Sequence, residues 1–136
     1  MPQSELMLPL RFPRAWFFAG LLIMALVLVA TLSPSGSTTT VSFLSDKAAH
    51  FFAFMMLMLW FCGVFRLPFT PLVALGLLAF GVLIELLQSR LPYRSAEVAD
   101  ALYDVGGIAA GWLLAVLGAS RWTRVVEDWL PGPRSP

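Results

Sequence analysis

Cysteine, histidine and charge are what this sequence has least of. Cys62 is the one cysteine among 136 residues, so no disulfide can form within the chain, and its place in an apolar run gives it no assigned role. His50 is the one histidine. A metal set of His50, Glu85 and Asp104 is conceivable, but a single imidazole and no thiolate geometry argue against it, and neither a metal nor any other cofactor is assigned. Charged residues make up 12% of the chain and the net charge is +1, with basic residues scattered at the ends of apolar runs, which sets nucleic acid aside as a partner. Long polar stretches are missing too. Any site must therefore be built from helices and their short connections.

What is present is apolar. Hydrophobic residues are 59% of the chain and mean hydropathy is +0.81, well outside the range of soluble domains, so an integral membrane protein is expected. Four runs are each about long enough to cross roughly 30 Å of hydrocarbon as a helix. They cover about residues 16–32, 48–65, 70–88 and 101–118. A basic lead with Arg11 and Arg14 precedes the first run, which is long for a signal peptide and is followed by no A-x-A cleavage site. SPSGSTTT, residues 33–40, reads as a polar loop. Ser45 and Asp46 are natural N-caps for the second run, Pro71 suits the first turn of the third, and Asp100 suits the N-cap of the fourth. In the tail, Trp122, Val125, Val126 and Trp129 recur at i, i+3, i+4 and i+7, the pattern of a short amphipathic helix on a bilayer surface.

Orientation follows from lysine and arginine. With the N-terminus inside, Arg11, Arg14, Arg66, Arg121, Arg124 and Arg134 are cytoplasmic while Lys47, Arg90 and Arg94 are external. The expectation is a single all-α domain over residues 1–136, a four-helix transmembrane bundle with both termini cytoplasmic.

Polar residues within and beside the runs converge on one face. ELLQSRLPYRSAEVADALYD, residues 85–104, carries four of the eight acids. His50, Glu85 and Asp104 each fall about 5 to 9 Å below the outer end of their helix, and three ionisable groups turned toward lipid are costly, so at least two should touch. Asp100, Asp104, Gly107 and Gly111 share a helical face, placing acids above a G-x-x-x-G stripe where a neighbouring helix can come close. Asp46, Lys47 and His50 lie within one turn, and Gly81, Glu85 and Gln88 share another face. Glu85, His50 and Asp104 are the candidates for acid–base chemistry. Lys47, Arg94, Gln88, Asp46 and Asp100 are the candidates for ligand binding. For each a purely structural role competes: Glu85 bonding Gln88, Lys47 or Arg94, His50 as a satisfied interfacial histidine, Asp100 as a cap, and Lys47 and Arg94 snorkelling.

DKAAHFFAF from Asp46, GVLIELLQ from Gly81, LPYR from Leu91 and DALYDVGGIAAG from Asp100 resemble the VanZ-like family of small bacterial membrane proteins. The resemblance aligns Asp46, Lys47, His50 and Phe51 with one family motif, Glu85 and Gln88 with its E-x-x-Q, Arg94 with its arginine after proline, and Asp100, Gly107 and Gly111 with its closing helix. This chain departs from the pattern at Asp104, where asparagine is frequent, and at Phe54, where tyrosine is. The resemblance implies a multi-pass protein of the bacterial cytoplasmic (inner) membrane and cell envelope, possessing a link to glycopeptide resistance of the teicoplanin type. With Lys47 and Arg94 as phosphate or carboxylate contacts, and with the cell-envelope setting that the resemblance implies, the leading expectation is an outward polar site that binds an anionic lipid or a lipid-linked cell-wall precursor. A membrane-embedded enzyme and a scaffold in an envelope complex are the competing ones, and the oligomeric state is left open.

Overall fold

A computed structural model describes residues 3–34, 40–94 and 97–131, with only the backbone of residues 3, 4 and 40–45. The described residues are helical apart from turns and one isolated bridge between Met7 and Phe65. A short α1 (Gln3–Leu6) precedes α2 (Pro13–Leu32), α3 (Thr40–Cys62), α4 (Thr70–Gln88), α5 (Val98–Val116) and α6 (Trp122–Trp129). Among the described residues, three helical stretches are long and apolar enough to cross a membrane: Pro13–Leu32, Leu67–Gln88 and Val98–Val116.

Three expected boundaries move. α3 begins at Thr40, so Ser45 and Asp46 lie inside it rather than at its N-cap position; the helix ends at Cys62, where Gly63 and Val64 turn the chain. α5 begins at Val98 with Glu97 at the N-cap position, which puts Asp100 in the first turn rather than at the cap. The polar loop is also shorter than residues 33–40, since Thr40 already belongs to α3 and residues 35–39 lie outside the described ones. Pro71 does stand in the first turn of α4.

In a lipid environment helices gain little from hiding apolar surface from one another, so close packing and polar contacts must hold them. α5 buries Asp100, Asp104, Gly107, Ile108, Gly111 and Ala115, a single stripe at helical spacing. α3 lies along that stripe. A Cβ on Gly107 would collide with the Phe51 carbonyl oxygen, and one on Gly111 would stand 2.5 Å from the Met55 carbonyl oxygen, so only glycine lets the two backbones meet here. Phe54, Leu57, Met58 and Phe61 of α3 fill the core with Leu77 and Ile84 of α4 and Ile108 and Ala115 of α5. α2 is peripheral. It buries only Gly20, against Trp60 and Phe61, and exposes Phe18, Leu22, Leu26 and Val29, the surface a lipid-facing helix presents.

At one end of this assembly the two chain ends meet. Leu8 N–H donates to the Val64 carbonyl, Arg66 N–H donates to the Leu6 carbonyl, and Thr123 Oγ1 donates to the Gly63 carbonyl at 2.6 Å. Trp16, Trp60 and Trp122 stack there, with centroids 4.7 to 5.8 Å apart. Glu127 of α6 is 6% exposed; its carboxylate accepts from the backbone N–H groups of Arg11 and Phe12 and from the Trp16 indole. These donors belong to the start of α2, where N–H groups have no partner inside the helix. α6 thus packs through Thr123 and Glu127 while Val125, Val126 and Trp129 point outward, which leaves most of the expected apolar stripe facing away from the protein.

Candidate functional site

The polar residues singled out in the sequence gather at the opposite end, around the start of α3, the end of α4 and the start of α5. The agreement has a simple cause: α3 and α5 enter where α4 leaves, with Glu85 within about one turn and Asp104 within about two turns of that end, while His50 lies nearly three turns in because α3 starts earlier than expected.

His50 and Asp104 touch. His50 Nδ1 lies 2.8 Å from Asp104 Oδ1, with both side chains buried, so the contact expected between at least two of the three ionisable residues is present. A carboxylate accepts, so Nδ1 carries the proton and Nε2 is the nitrogen left with the lone pair in the neutral ring. Asp104 itself is seated over Gly81 of α4, where an added Cβ would stand 2.8 Å from its Oδ2. The small residue one turn below Glu85 therefore makes room for an acid from the neighbouring helix.

Lys47 reaches Glu97 Oε2 at 2.8 Å and Asp100 Oδ1 at 2.9 Å, and its Nζ lies 6.0 Å from the Tyr103 ring centroid. Arg94 donates to the Ser33 carbonyl through Nε at 3.1 Å and NH2 at 2.6 Å, and its NH1 is 3.4 Å from Asp46 Oδ2. Gln88 donates to the Thr31 carbonyl and Tyr93 to the Leu32 carbonyl, so the end of α2 is drawn into the same region. The ion-pair partners described for Lys47 are Glu97 and Asp100, and the one described for Arg94 is Asp46.

Glu85 is the residue around which these contacts are arranged. The Glu97 backbone N–H reaches its carboxylate, and a ring nitrogen of His50, a Glu85 oxygen and an Asp100 oxygen all lie within 4.8 Å of one another. The geometric trio contains Asp100 where the sequence suggested Asp104, while Asp104 is the acid bonded to His50 Nδ1. Among the described residues, three buried acceptors have no hydrogen-bond donor: Glu85 Oε1, Gln88 Oε1 and Asp104 Oδ2. Buried acceptors are nearly always paired, so three in one region need a reason.

Glu97 was not singled out by sequence reasoning. It follows the LPYRSA turn sequence and reads as a loop acid, and only the fold brings it to Lys47. The carbonyls at the end of α2 were missed for a different reason, since backbone acceptors carry no side-chain signal.

Apolar helices long enough to span a bilayer, with a buried polar cluster at one end, define a multi-pass membrane protein. The chain matches the family described as VanZ/LLP1 over residues 6–119, and it belongs to that family. No curated protein and no solved structure matches it.

Proposed function

We propose that this is a four-span protein of the bacterial cytoplasmic membrane, one domain over residues 1–136 with both termini inside, whose outward site holds the headgroup of an envelope lipid or lipid-linked cell-wall precursor and moves a proton on it. α3 serves as the remaining span, since 23 residues extend about 34 Å as a helix. Arg11, Arg66, Arg121 and Arg124 lie at the end with Glu127, and Lys47, Arg90 and Arg94 at the end with His50, which favours the cluster facing outward. Pro92→Cys in a Cys62→Ser background should react with an impermeant thiol reagent in intact cells; labelling only after lysis would reverse this orientation.

The observation that carries the chemical part is the His50–Asp104 bond beside Glu85. Asp104 holds the ring so that Nε2 offers a lone pair, and Glu85 stands next to it with one oxygen unpaired, an arrangement suited to taking and returning a proton. Lys47, which is buried, and the more outward Arg94 are the contacts for phosphate or carboxylate, shared with Glu97, Asp100 and Asp46. Gln88 offers its free carbonyl to a hydroxyl or amine of the ligand.

A second reading has the same site bind without chemistry, favoured by the way both cations sit at one end with Tyr93 and Tyr103. Family membership motivates the assay: teicoplanin susceptibility of a host expressing the chain, with retained lipid read by mass spectrometry. Glu85→Gln should lose protection while still retaining lipid, and Lys47→Met with Arg94→Met should lose the lipid. Full protection by Glu85→Gln would leave binding alone. A stoichiometric co-purified protein, with no lipid retained, would favour a scaffold instead.

A further inference from the structure

We propose that the cluster binds a divalent cation of the Mn2+ or Zn2+ kind through His50, Glu85 and Asp100, with Asp104 as the positioning residue that orients the imidazole. This deepens the reading above and rests on the cluster being a functional site.

The geometry comes first. Three helices each supply one donor atom, and the three atoms lie within 4.8 Å of one another. Three ligands bonded at about 2.0 to 2.2 Å stand at most about 3.8 Å from one another, so a closing movement of up to about 1 Å between side chains completes the set.

The pairing of polar atoms is an independent observation. Gln88 and Asp104 are each 2% exposed, and each keeps an oxygen with no donor, as Glu85 does. All three orphaned atoms are acceptors. A region short of positive partners, and only of those, calls for a cation or for protons on its carboxylates.

Chemistry narrows the choice to a cation. Glu85, Glu97, Asp100 and Asp104 converge here on the single ammonium of Lys47 and one imidazole. With Nδ1 committed to Asp104, the ring presents Nε2 in the way a carboxylate–histidine pair presents a metal ligand. One imidazole and two carboxylates form a mixed nitrogen and oxygen set, which suits Mn2+ or Zn2+ better than the all-oxygen preference of Ca2+ or Mg2+. Three protein ligands leave coordination positions open. A phosphate or carboxylate oxygen entering there would let an acid-rich cluster hold an anionic headgroup, which its own carboxylates would otherwise repel.

The test uses the full chain in detergent, stripped with a chelator and titrated with MnCl2 alone. We expect saturable uptake of one ion per chain, read from the free Mn2+ EPR signal, and modulation of the bound ion by one imidazole nitrogen. Glu85→Gln and Asp100→Asn should each weaken uptake about tenfold or more, and Zn2+ should displace Mn2+. Asp128→Asn, on the exposed face of α6, should leave uptake unchanged. Asp104→Asn should weaken uptake yet keep the nitrogen modulation, a result that lost structure would not give. No saturable uptake by the parent chain, or uptake without nitrogen modulation, overturns the proposal even if the variants fail to fold. Uptake unchanged in both Glu85→Gln and Asp100→Asn overturns it as well. If the parent chain takes no metal while Glu85→Gln still loses protection, the acid–base reading survives and the cation alone is refuted.

Discussion

The two ends of the helix assembly each bury carboxylate, and they treat it differently. Glu127 receives three donors, two backbone N–H groups and an indole, and both its oxygens are used. Glu85 and Asp104 each keep an oxygen with no donor. A fully paired acid ties segments together and asks for nothing more. An acid left half-paired costs stability wherever it is buried, and a fold carries that cost most readily where a ligand or a reaction will use the group. The contrast sets the Glu127 end apart as a latch and makes the Glu85 end the candidate site.

The comparison depends on a rigid seam between the ends, so the largest expected effect comes from breaking that seam. Gly107→Leu puts a side chain into the Phe51 carbonyl and Gly111→Leu puts one against the Met55 carbonyl. Each should cost about 3 kcal/mol or more and abolish the monodisperse folded fraction in detergent chromatography. Leu113→Ile, on the exposed face of α5, should behave like the parent. Glycine variants that elute and melt normally would show that α3 and α5 do not meet through this face.

Breaking the latch should rank next. Glu127→Ala strands the Arg11 and Phe12 N–H groups and the Trp16 indole, and should destabilise the protein by about 3 kcal/mol in detergent unfolding. It should also make the end of the chain sensitive to protease. Glu85→Gln removes an acid that is only partly paired, and its unfolding free energy should stay within about 1 kcal/mol of the parent while the protection against teicoplanin proposed above is lost. Equal destabilisation by the two variants would erase the distinction between latch and site.

The apolar runs were legible because span length and hydropathy are properties of contiguous sequence. The meeting of His50, Glu85 and Asp104 was legible in part, since alternating helix direction fixes depth. It does not fix rotation about the helix axis, and rotation decided that Asp104 goes to His50 Nδ1 while Asp100 goes to Lys47. Capping signals misled at Ser45, Asp46 and Asp100, which lie inside helices that begin before them; the two acids among them are recruited into ion pairs instead, Asp46 with Arg94 and Asp100 with Lys47. The latch could not be read at all. Thr123 and Glu127 form the polar side of an amphipathic helix, a side that ordinarily faces water, and the Glu127 partners lie at residues 11, 12 and 16.

The smallest expected effect sharpens the site itself, using two glycines of α4. Gly76 has no atom within 4 Å of where a Cβ would stand, so Gly76→Ala should be neutral or gain about 0.5 to 1 kcal/mol from the lower flexibility of alanine in a helix. Gly81→Ala receives the same helical gain, but its Cβ meets Asp104 Oδ2 at 2.8 Å and the Phe54 ring at 3.4 Å. Phe54 is fully buried and cannot withdraw. Asp104 is a short side chain held at its other oxygen by His50, so it can move only by lengthening that bond. The overpacking should outweigh the helical gain by about 1 kcal/mol, giving a modest fall in melting temperature for Gly81→Ala and none for Gly76→Ala. Because the displaced atom belongs to the residue that orients His50, Gly81→Ala should also weaken protection against teicoplanin despite touching no ligand. Identical melting and identical protection in the two variants would mean that Asp104 does not rest on Gly81, and the acid would then be free to pair elsewhere.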